Sequence, residues 1–178
     1  MKVLFFTTHH LQSPYQVGSH RYATFFGEMG YELLYVSAPV TPFHLLKIRD
    51  KDVRKRMRVV ASTKKTFSVE KIREYIPFSL IAPDSRPLLR TPWVMENWAV
   101  FTFPHLLKWI KRLGFQNPDV VFIDNIYFGP VFSQIEAKQR IFRVMDYHPG
   151  FPGWNSNSIV TIAKKISQQA DLLVYSSQ

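Results

Sequence analysis

The chain has 178 residues, of which 46% are hydrophobic, and its Lys and Arg residues outnumber Asp and Glu by 23 to 13, giving a net charge of +10. A chain of this length buries roughly 70% of its unfolded surface in one core, so we expect residues 1–178 to form a single globular domain. Cysteine is absent from the sequence, which excludes a disulfide framework, thiolate metal sites and cysteine nucleophiles.

Apolar runs of strand length alternate with segments of helical period, which predicts βαβ units around a parallel sheet. The first predicted strand is Lys2–Thr7, and a helix follows over Ser19–Gly30, where the glycine is a typical C-terminal stop. The second predicted strand is Tyr31–Ser37. The apolar run of the first strand is short and leads into two histidines and not into a cleavage site, so it does not resemble a signal peptide.

The next region has weaker periodicity. We predict a basic helix over Phe43–Met57, a short strand over Val59–Ala61 and a helix over Val69–Tyr75. A longer helix over Trp93–Leu113 follows a Pro-rich loop, and Pro104 should kink it or split it in two.

Two buried-strand runs, an amphipathic helix and a last strand complete the pattern: Asp119–Asp124, Arg140–Met145, Ser158–Gln169 and Asp171–Ser176. Six strands with helical crossovers predict an α/β fold, a Rossmann-like, doubly wound and mainly parallel sheet flanked by helices. The sequence contains no uncharged apolar run near the roughly 20 residues that span a bilayer, and we expect a cytoplasmic location.

Ligands of such sheets bind beyond the carboxyl ends of the strands, so the residues after each apolar run are the first candidates for a site. These are His9, His10, Asp124, Asn125, the segment Asp146–Gly150, and Ser176 with Ser177.

The loop between the first strand and the first helix ends at Gly18 and Ser19, where free backbone N–H groups and the helix dipole favour a phosphate. The alternative is an ordinary turn before a helix. Neither G-x-G-x-x-G nor a P-loop occurs in the sequence, so a dinucleotide or a P-loop nucleotide held by this domain alone is not expected.

Several segments have a characteristic order and spacing: the opening strand, Val17–Arg21, Glu28–Ser37, Asn117–Asp124, Arg143–His148 and Gln169–Ser177. In this order they resemble the N-terminal domain of group-1, GT4-like GT-B glycosyltransferases. The similarity does not cover the region from about Pro39 to Leu113.

The resemblance implies half of a GT-B enzyme of the hexosyltransferase type. In that family the N-terminal domain shapes the acceptor pocket and brings a glycine loop near the donor pyrophosphate, while a C-terminal Rossmann domain makes most nucleotide-sugar contacts. We expect that second domain to be absent from this chain and the isolated domain to be inactive or nearly so. The implied substrates are a nucleotide-sugar donor and a glycan or lipid-linked acceptor of cell-surface polysaccharide synthesis, with no cofactor.

Carried over to this sequence, the family pattern assigns Gly18 and Ser19 to the donor phosphate loop and Asp146 and His148 to the catalytic loop. An inverting enzyme would use Asp146 as the base that deprotonates the acceptor hydroxyl. A retaining enzyme would need neither residue as a base, and His148 would bind the sugar. The alternative for both is a turn or cap residue that bonds local backbone.

The residues expected to bind the acceptor are His9, His10, Asp124, Asn125 and Trp154. Hydroxyl-binding side chains and a stacking ring suit a sugar, whereas loop ordering or a helix N-cap is the alternative for each. We expect no metal site, because GT-B transfer needs no protein-bound metal and the spacing matches no zinc signature.

The excess positive charge predicts a polyanion-binding or membrane-binding face. Its candidate residues are Lys47, Arg54, Lys55, Arg56, Lys108, Lys111 and Arg112. Three interpretations stay open: a solvated charged surface, an anionic lipid or pyrophosphate surface, or nucleic acid, for which no motif is present. Aromatic residues between Trp93 and Phe115 are either core or an interfacial face, and the latter would place the protein at the inner face of the plasma membrane.

The competing class is a non-catalytic α/β binding module with a basic face for anionic lipid or nucleic acid. A response-regulator-like domain would need an acidic cluster after its first strand, where His9 and His10 stand.

Overall fold

The computed structural model of the protein describes residues 1–14, 18–61, 67–69, 71–84, 86–144 and 156–175. The described strands are β1 Lys2–Thr7, β2 Glu32–Ser37, β3 Phe67–Val69, β4 Ile72–Tyr75, β5 Phe78–Ser79, β6 Thr102–Phe103, β7 Val120–Ile123, β8 Gln139–Val144 and β9 Leu172–Tyr175. The described α-helices are α1 Gly18–Glu28, α2 Lys51–Ala61, α3 Pro92–Asn97, α4 Leu106–Arg112, α5 Gly129–Phe132 and α6 Ser156–Gln169. Short 3-10 helices cover Pro42–Lys47, Trp98–Phe101 and Ile126–Phe128.

The main sheet has the strand order β3-β4-β2-β1-β7-β8-β9, and every neighbouring pair except β3 with β4 is parallel. Its six parallel strands therefore run 3-2-1-4-5-6 in chain order, which is the doubly wound Rossmann arrangement. The predicted fold class is confirmed. The strand order reverses between β1 and β7, and this reversal creates the crevice where such sheets bind ligands.

Both faces of the central strands are buried, which explains why these strands read as continuous apolar runs. One face packs on α3 to α6 through Leu4, Phe6, Leu34, Val36, Val121 and Ile123. The other face packs on α1 through Val3, Phe5, Leu33, Tyr35, Val120 and Phe122. Of the aromatic residues whose location was open, Trp98 and Phe115 are buried, whereas Trp93 and Phe103 are exposed.

Helices α1 and α4 end where the sequence predicts. Gly30 and Gly114 adopt φ of 78° and 86°, and the amides of Tyr31 and Phe115 donate back to Phe26 and Ile110. This is the Schellman ending, which favours glycine because the left-handed conformation strains other residues.

Two predictions in the weakly periodic region are wrong. Val59–Ala61 is the last turn of α2 and not a strand, because Val59 packs on Val40 and Ile76. The third parallel strand is β4, within the segment for which we predicted a helix over Val69–Tyr75.

Two longer predicted helices are divided. The predicted helix over Phe43–Met57 corresponds to the 3-10 turn at Pro42–Lys47 and the first part of α2. The predicted helix over Trp93–Leu113 is split at Pro104, as expected, into α3 and α4, with β6 between them.

Candidate functional site

A buried polar layer lies at the carboxyl edge of the sheet, on the face that α1 covers. Because side chains alternate along a strand, Tyr35, Ser37, Glu74 and Asp124 share the face of Thr7. Thr7 is paired with Ser37, and Tyr35 with Glu74, in neighbouring strands. The Asp124 amide donates to the Phe6 carbonyl at 3.0 Å, which places the carboxyl directly after β7 and beside the end of β1.

Asp124 connects the strand edge to the start of α1. Ser19 Oγ donates to Asp124 Oδ2 at 2.7 Å, and Arg143 Nη1 lies 3.9 Å from the same oxygen. Burial raises the pKa of Asp124 to about 6, although the neighbouring hydroxyls of Ser19 and Thr7 and the charge of Arg143 act in the opposite direction. The carboxyl therefore holds the first turn of α1 and the end of β8 together.

The Arg143 guanidinium occupies the space that a side chain at residue 18 would enter. A Cβ atom at residue 18 would lie 2.6–2.9 Å from the Arg143 guanidinium, and the same guanidinium stacks 5.4 Å from the Tyr22 ring centroid. A phosphate at the start of α1 would thus meet Arg143 as well as backbone N–H groups. Gly18 and Ser19 lie where a phosphate loop is predicted, and Arg143 is a further candidate contact that our sequence predictions did not include.

Glu74 forms the second half of the polar layer, at the end of β4. The Leu11 amide donates to Glu74 Oε1 at 2.7 Å, which ties the loop after β1 to β4. Burial raises the pKa of Glu74 to about 7, against the effects of that hydrogen bond and of nearby Arg56.

Arg56 points inward from α2, where its guanidinium donates to the carbonyls of Ala38 and Pro39. Burial lowers the pKa of Arg56, although the negative charges of Asp52 and Glu74 oppose the shift. We predicted Arg56 as part of a membrane-binding or polyanion-binding face, but its guanidinium bonds backbone carbonyls inside the domain.

His10 is part of the protein interior. Its ring is 2% exposed, and Nε2 lies 2.7 Å from Asp52 Oδ1 of α2. Burial lowers the pKa of His10 and outweighs the opposing effect of Asp52. His9 is half-buried, and burial lowers its pKa too. Of the two predicted acceptor ligands in this loop, His9 is the more exposed.

This layer holds most of the buried polar atoms without a hydrogen bond of normal geometry. Seven of the nine such side-chain atoms in the described part of the chain are Thr7 Oγ1, His10 Nδ1, Tyr35 OH, Ser37 Oγ, Arg56 Nε, Glu74 Oε2 and Asp124 Oδ1. Unpaired buried polar groups cost roughly 1–3 kcal/mol each, so their concentration at one edge of a sheet is typical of a functional region.

The other predicted site residues are placed as follows. Asn125 caps the 3-10 helix Ile126–Phe128 by accepting from the Tyr127 amide at 3.0 Å, which matches the loop-ordering alternative. Asp146, His148 and Trp154 lie outside the described residues, as do Ser176 and Ser177.

The predicted basic residues, Arg56 aside, are exposed and lie on two separate surfaces. Lys47, Arg54 and Lys55 belong to the segment that follows β2. Lys108, Lys111 and Arg112 belong to α4, which packs on the opposite face of the sheet from α1.

A cavity of about 670 Å³ lies at the opposite, amino edge of the sheet. It is lined by Met1, Lys2, Gly30, Glu32, Lys71, Arg73 and Asp119. Its cations already satisfy the ends of α1 and α4: Lys71 donates to the Gly30 carbonyl and Lys2 to the Gly114 carbonyl. Cations at helix C-termini are an ordinary stabilising feature, which accounts for the positive charge that lines the cavity.

Sequence reasoning found Asp124 because it follows an apolar run, but it missed Glu74 and Tyr35, which lie inside strands. No local signal was available for Glu74, because β4 also contains Arg73 and does not resemble an apolar strand. For Arg143 the signal was a cation near the carboxyl end of a strand.

No protein-family model matches the sequence, and no curated protein matches it. None of the described helices has the length and apolar character that crossing a bilayer requires. Within the described ranges, no group of three or more His, Asp or Glu side chains could hold a metal ion.

Proposed function

We propose that this chain is the acceptor-side domain of a GT-B glycosyltransferase that transfers a sugar from a nucleotide-sugar donor to a glycan or lipid-linked acceptor. The observation that carries the proposal is the polar layer at the β1/β7 strand-order reversal, directly under the first turn of α1. In a doubly wound sheet this is the position where a ligand enters.

The buried acids of this layer hold the elements around the site in place. Asp124 is 1% exposed and Glu74 is 0% exposed, so neither carboxyl meets a substrate in the described conformation. They hold Leu11 after β1, the first turn of α1 and the end of β8. Catalytic geometry depends on such supporting contacts, since misplacement by about 1 Å costs up to 100-fold in rate.

Arg143 is the residue best placed to contact a donor phosphate. Its guanidinium lies against Gly18 at the first turn of α1. A guanidinium donates to phosphate oxygens in a bidentate fashion, and a helix N-terminus adds a favourable dipole. Charge that develops on the leaving nucleoside diphosphate would be stabilised there.

The proposed chemistry is a displacement at the anomeric carbon. In an inverting reaction, Asp146 takes the proton of the acceptor hydroxyl, the hydroxyl oxygen bonds to the anomeric carbon, and the bond to the nucleoside diphosphate breaks. Asp146 follows Arg143 by three residues in the sequence. General-base catalysis contributes typically about 10²–10⁴-fold.

A transfer assay with the protein at its natural length tests the proposal. Labelled nucleotide sugars are offered one at a time with a membrane extract as acceptor. We expect incorporation with one donor, a loss of about 10²–10⁴-fold in Asp146→Ala, and a smaller loss in His148→Ala. Glu28→Ala, an exposed residue at the end of α1, is the matched control and should retain full activity.

Two outcomes would count against this function. Incorporation that survives Asp146→Ala would remove the proposed base and favour a retaining reaction. If no donor gives any incorporation by the parent protein, the chain belongs instead to the class of non-catalytic α/β binding modules.

A further inference from the structure

The segment after β2 exposes large apolar side chains in a fixed arrangement. Leu46 is 83% exposed, Leu45 is 51% exposed and Ile48 is 47% exposed. We call these three residues the apolar ridge. Isolated exposed leucines are common on protein surfaces, but three within four positions form a patch of the kind that marks an interaction site.

The ridge is held by contacts on its inner side. The Thr41 amide donates to His44 Nδ1 at 3.0 Å, and the His44 amide donates to the Thr41 carbonyl at 2.9 Å. The Arg86 guanidinium lies 4.6 Å from the centroid of the Phe43 ring. These contacts fix the backbone of this turn and hold His44 half-buried, while Leu45, Leu46 and Ile48 stay exposed.

A band of positive charge adjoins the ridge. Lys51, Arg54, Lys55 and Arg58 are all exposed and recur at helical spacing along α2, and we call them the cationic face. Ile48 precedes Lys51 by three residues, so their Cα atoms are at most about 11 Å apart. Lys47 and Arg49 alternate with the ridge itself and are also exposed.

We propose that the apolar ridge and the cationic face together dock the domain on an anionic lipid surface. Apolar side chains enter the boundary between headgroups and acyl chains while neighbouring cations attract the headgroups. This inference does not depend on the transfer reaction, because it concerns a surface on the segment between β2 and β3 and not the polar layer.

Charge and shape favour a lipid surface over the other partners considered. A second copy of the chain would oppose one cationic face to another, which is repulsive. A nucleic acid would neutralise the cations but would leave the apolar ridge in water, and single strands bind best to exposed aromatic rings. The ridge consists of aliphatic side chains, which suit acyl chains.

Vesicle flotation with the full chain tests the inference. The vesicles contain phosphatidylcholine alone or with about one third phosphatidylglycerol, and nucleotide sugars are absent. We expect binding only to the anionic vesicles. Each cation near such a surface strengthens binding by roughly fivefold, so Arg54→Gln/Lys55→Gln/Arg58→Gln should weaken it by about a hundredfold.

Matched variants test whether the location of the substituted residues, and not only their number and type, determines vesicle binding. Lys108→Gln/Lys111→Gln/Arg112→Gln removes the same number of cations from α4 and should weaken binding far less. Leu45→Ser/Leu46→Ser should weaken binding at least about tenfold, because two leucines lose their burial in the interface. Phe25→Ser/Met29→Ser removes two exposed apolar residues, one in α1 and one directly after it, and should bind as the parent does. Circular dichroism and Tm verify that each variant is folded.

Three results would overturn the proposal. They are equal binding to neutral and anionic vesicles, equal losses in the α2 and α4 charge variants, and unchanged binding of Leu45→Ser/Leu46→Ser. The last result would indicate a purely electrostatic surface, of the kind that binds nucleic acid or an acidic protein. A protein that fails to transfer sugar but binds anionic vesicles as described would leave this inference intact.

Discussion

Glu74 shows how a single buried acid couples stability to pH. Its pKa is raised by burial to about 7, whereas a glutamic acid in an unfolded chain titrates near 4.3. Between these pH values the folded protein binds more protons than the unfolded chain. The stability that the protonated form provides is therefore complete below about pH 4 and is lost as pH rises through about 7.

Replacing Glu74 with glutamine removes this titration and keeps an oxygen that can accept from the Leu11 amide. We expect Glu74→Gln to exceed the parent in free energy of unfolding by roughly 2–3 kcal/mol at pH 8, and to lose that advantage at pH 4. Urea unfolding of both proteins across this pH range measures the difference. The exposed Glu28→Gln is the control, and an advantage of Glu74→Gln that does not vary with pH would contradict the argument.

At the same scale, the sequence predicts which residues follow strands but not which residues lie opposite one another. Asp124 stands directly after an apolar run, so its place at the edge was predictable. Its partners Ser19 and Arg143 are distant in sequence, at 105 positions for Ser19, and only the folded chain brings them together. The polar character of the site was thus predicted, and its connections were not.

Among the elements, the short helix α5 packs closely on α6. A Cβ atom at Gly129 of α5 would lie 2.8 Å from Ile162 Cγ2 and 3.0 Å from Ile166 Cδ1 of α6. Both isoleucines are buried in the larger core cluster, so they have little room to move. The glycine lets α5 and α6 approach each other closely.

We expect Gly129→Ala to lower the free energy of unfolding by about 1–3 kcal/mol, because the added methyl group overpacks the core. Gly27→Ala is the matched control in α1, where the nearest atom is the flexible end of Ile72 at 3.2 Å. Since alanine favours a helix over glycine by up to about 1 kcal/mol, that variant should be as stable as the parent or more stable. Chemical denaturation distinguishes the two, and equal stabilities for both variants would refute the packing argument.

The third parallel strand explains why part of the fold was mispredicted. Three of the four consecutive positions in β4 from Ile72 to Tyr75 are polar or carry a polar group, so the segment does not look like a buried strand. Arg73 pairs with Glu32 at one edge, and Glu74 enters the polar layer. These contacts are made across strands, and no local pattern contains them. The error at Val59 and Val60 is the reverse one. These β-branched residues are typical of a strand, but they pack at the end of a helix.

Over the whole molecule, the two edges of the sheet differ in how fully their polar groups are satisfied. At the amino edge, Lys2, Lys71 and Arg73 donate to the carbonyls that end α1 and α4, and Glu32 and Asp119 accept from cations. At the carboxyl edge, Asp124 and Glu74 each have one paired oxygen, but their other oxygens, the hydroxyls of Thr7, Tyr35 and Ser37, and His10 Nδ1 have no hydrogen bond of normal geometry. A ligand that reorganises the carboxyl edge therefore gains more than one that binds at the amino edge.

This contrast predicts where a phosphate ligand stabilises the domain. With 10 mM pyrophosphate or nucleoside diphosphate and a millimolar Kd, a tenfold excess contributes about 1.4 kcal/mol. For a chain of this size that corresponds to a Tm increase of roughly 3–6 °C. We expect Arg143→Met to lose the increase, because it removes the guanidinium beside Gly18.

Arg73→Met, by contrast, should lower the Tm of the free protein by breaking the amino-edge contacts and should keep the ligand-induced increase. Differential scanning fluorimetry with chloride at matched ionic strength separates a specific ligand from a salt effect, since exposed charges are screened over about 10 Å at 0.1 M. If the increase persists in Arg143→Met and disappears in Arg73→Met, the anion binds in the amino-edge cavity. The carboxyl edge would then be a structural polar layer and not the ligand site.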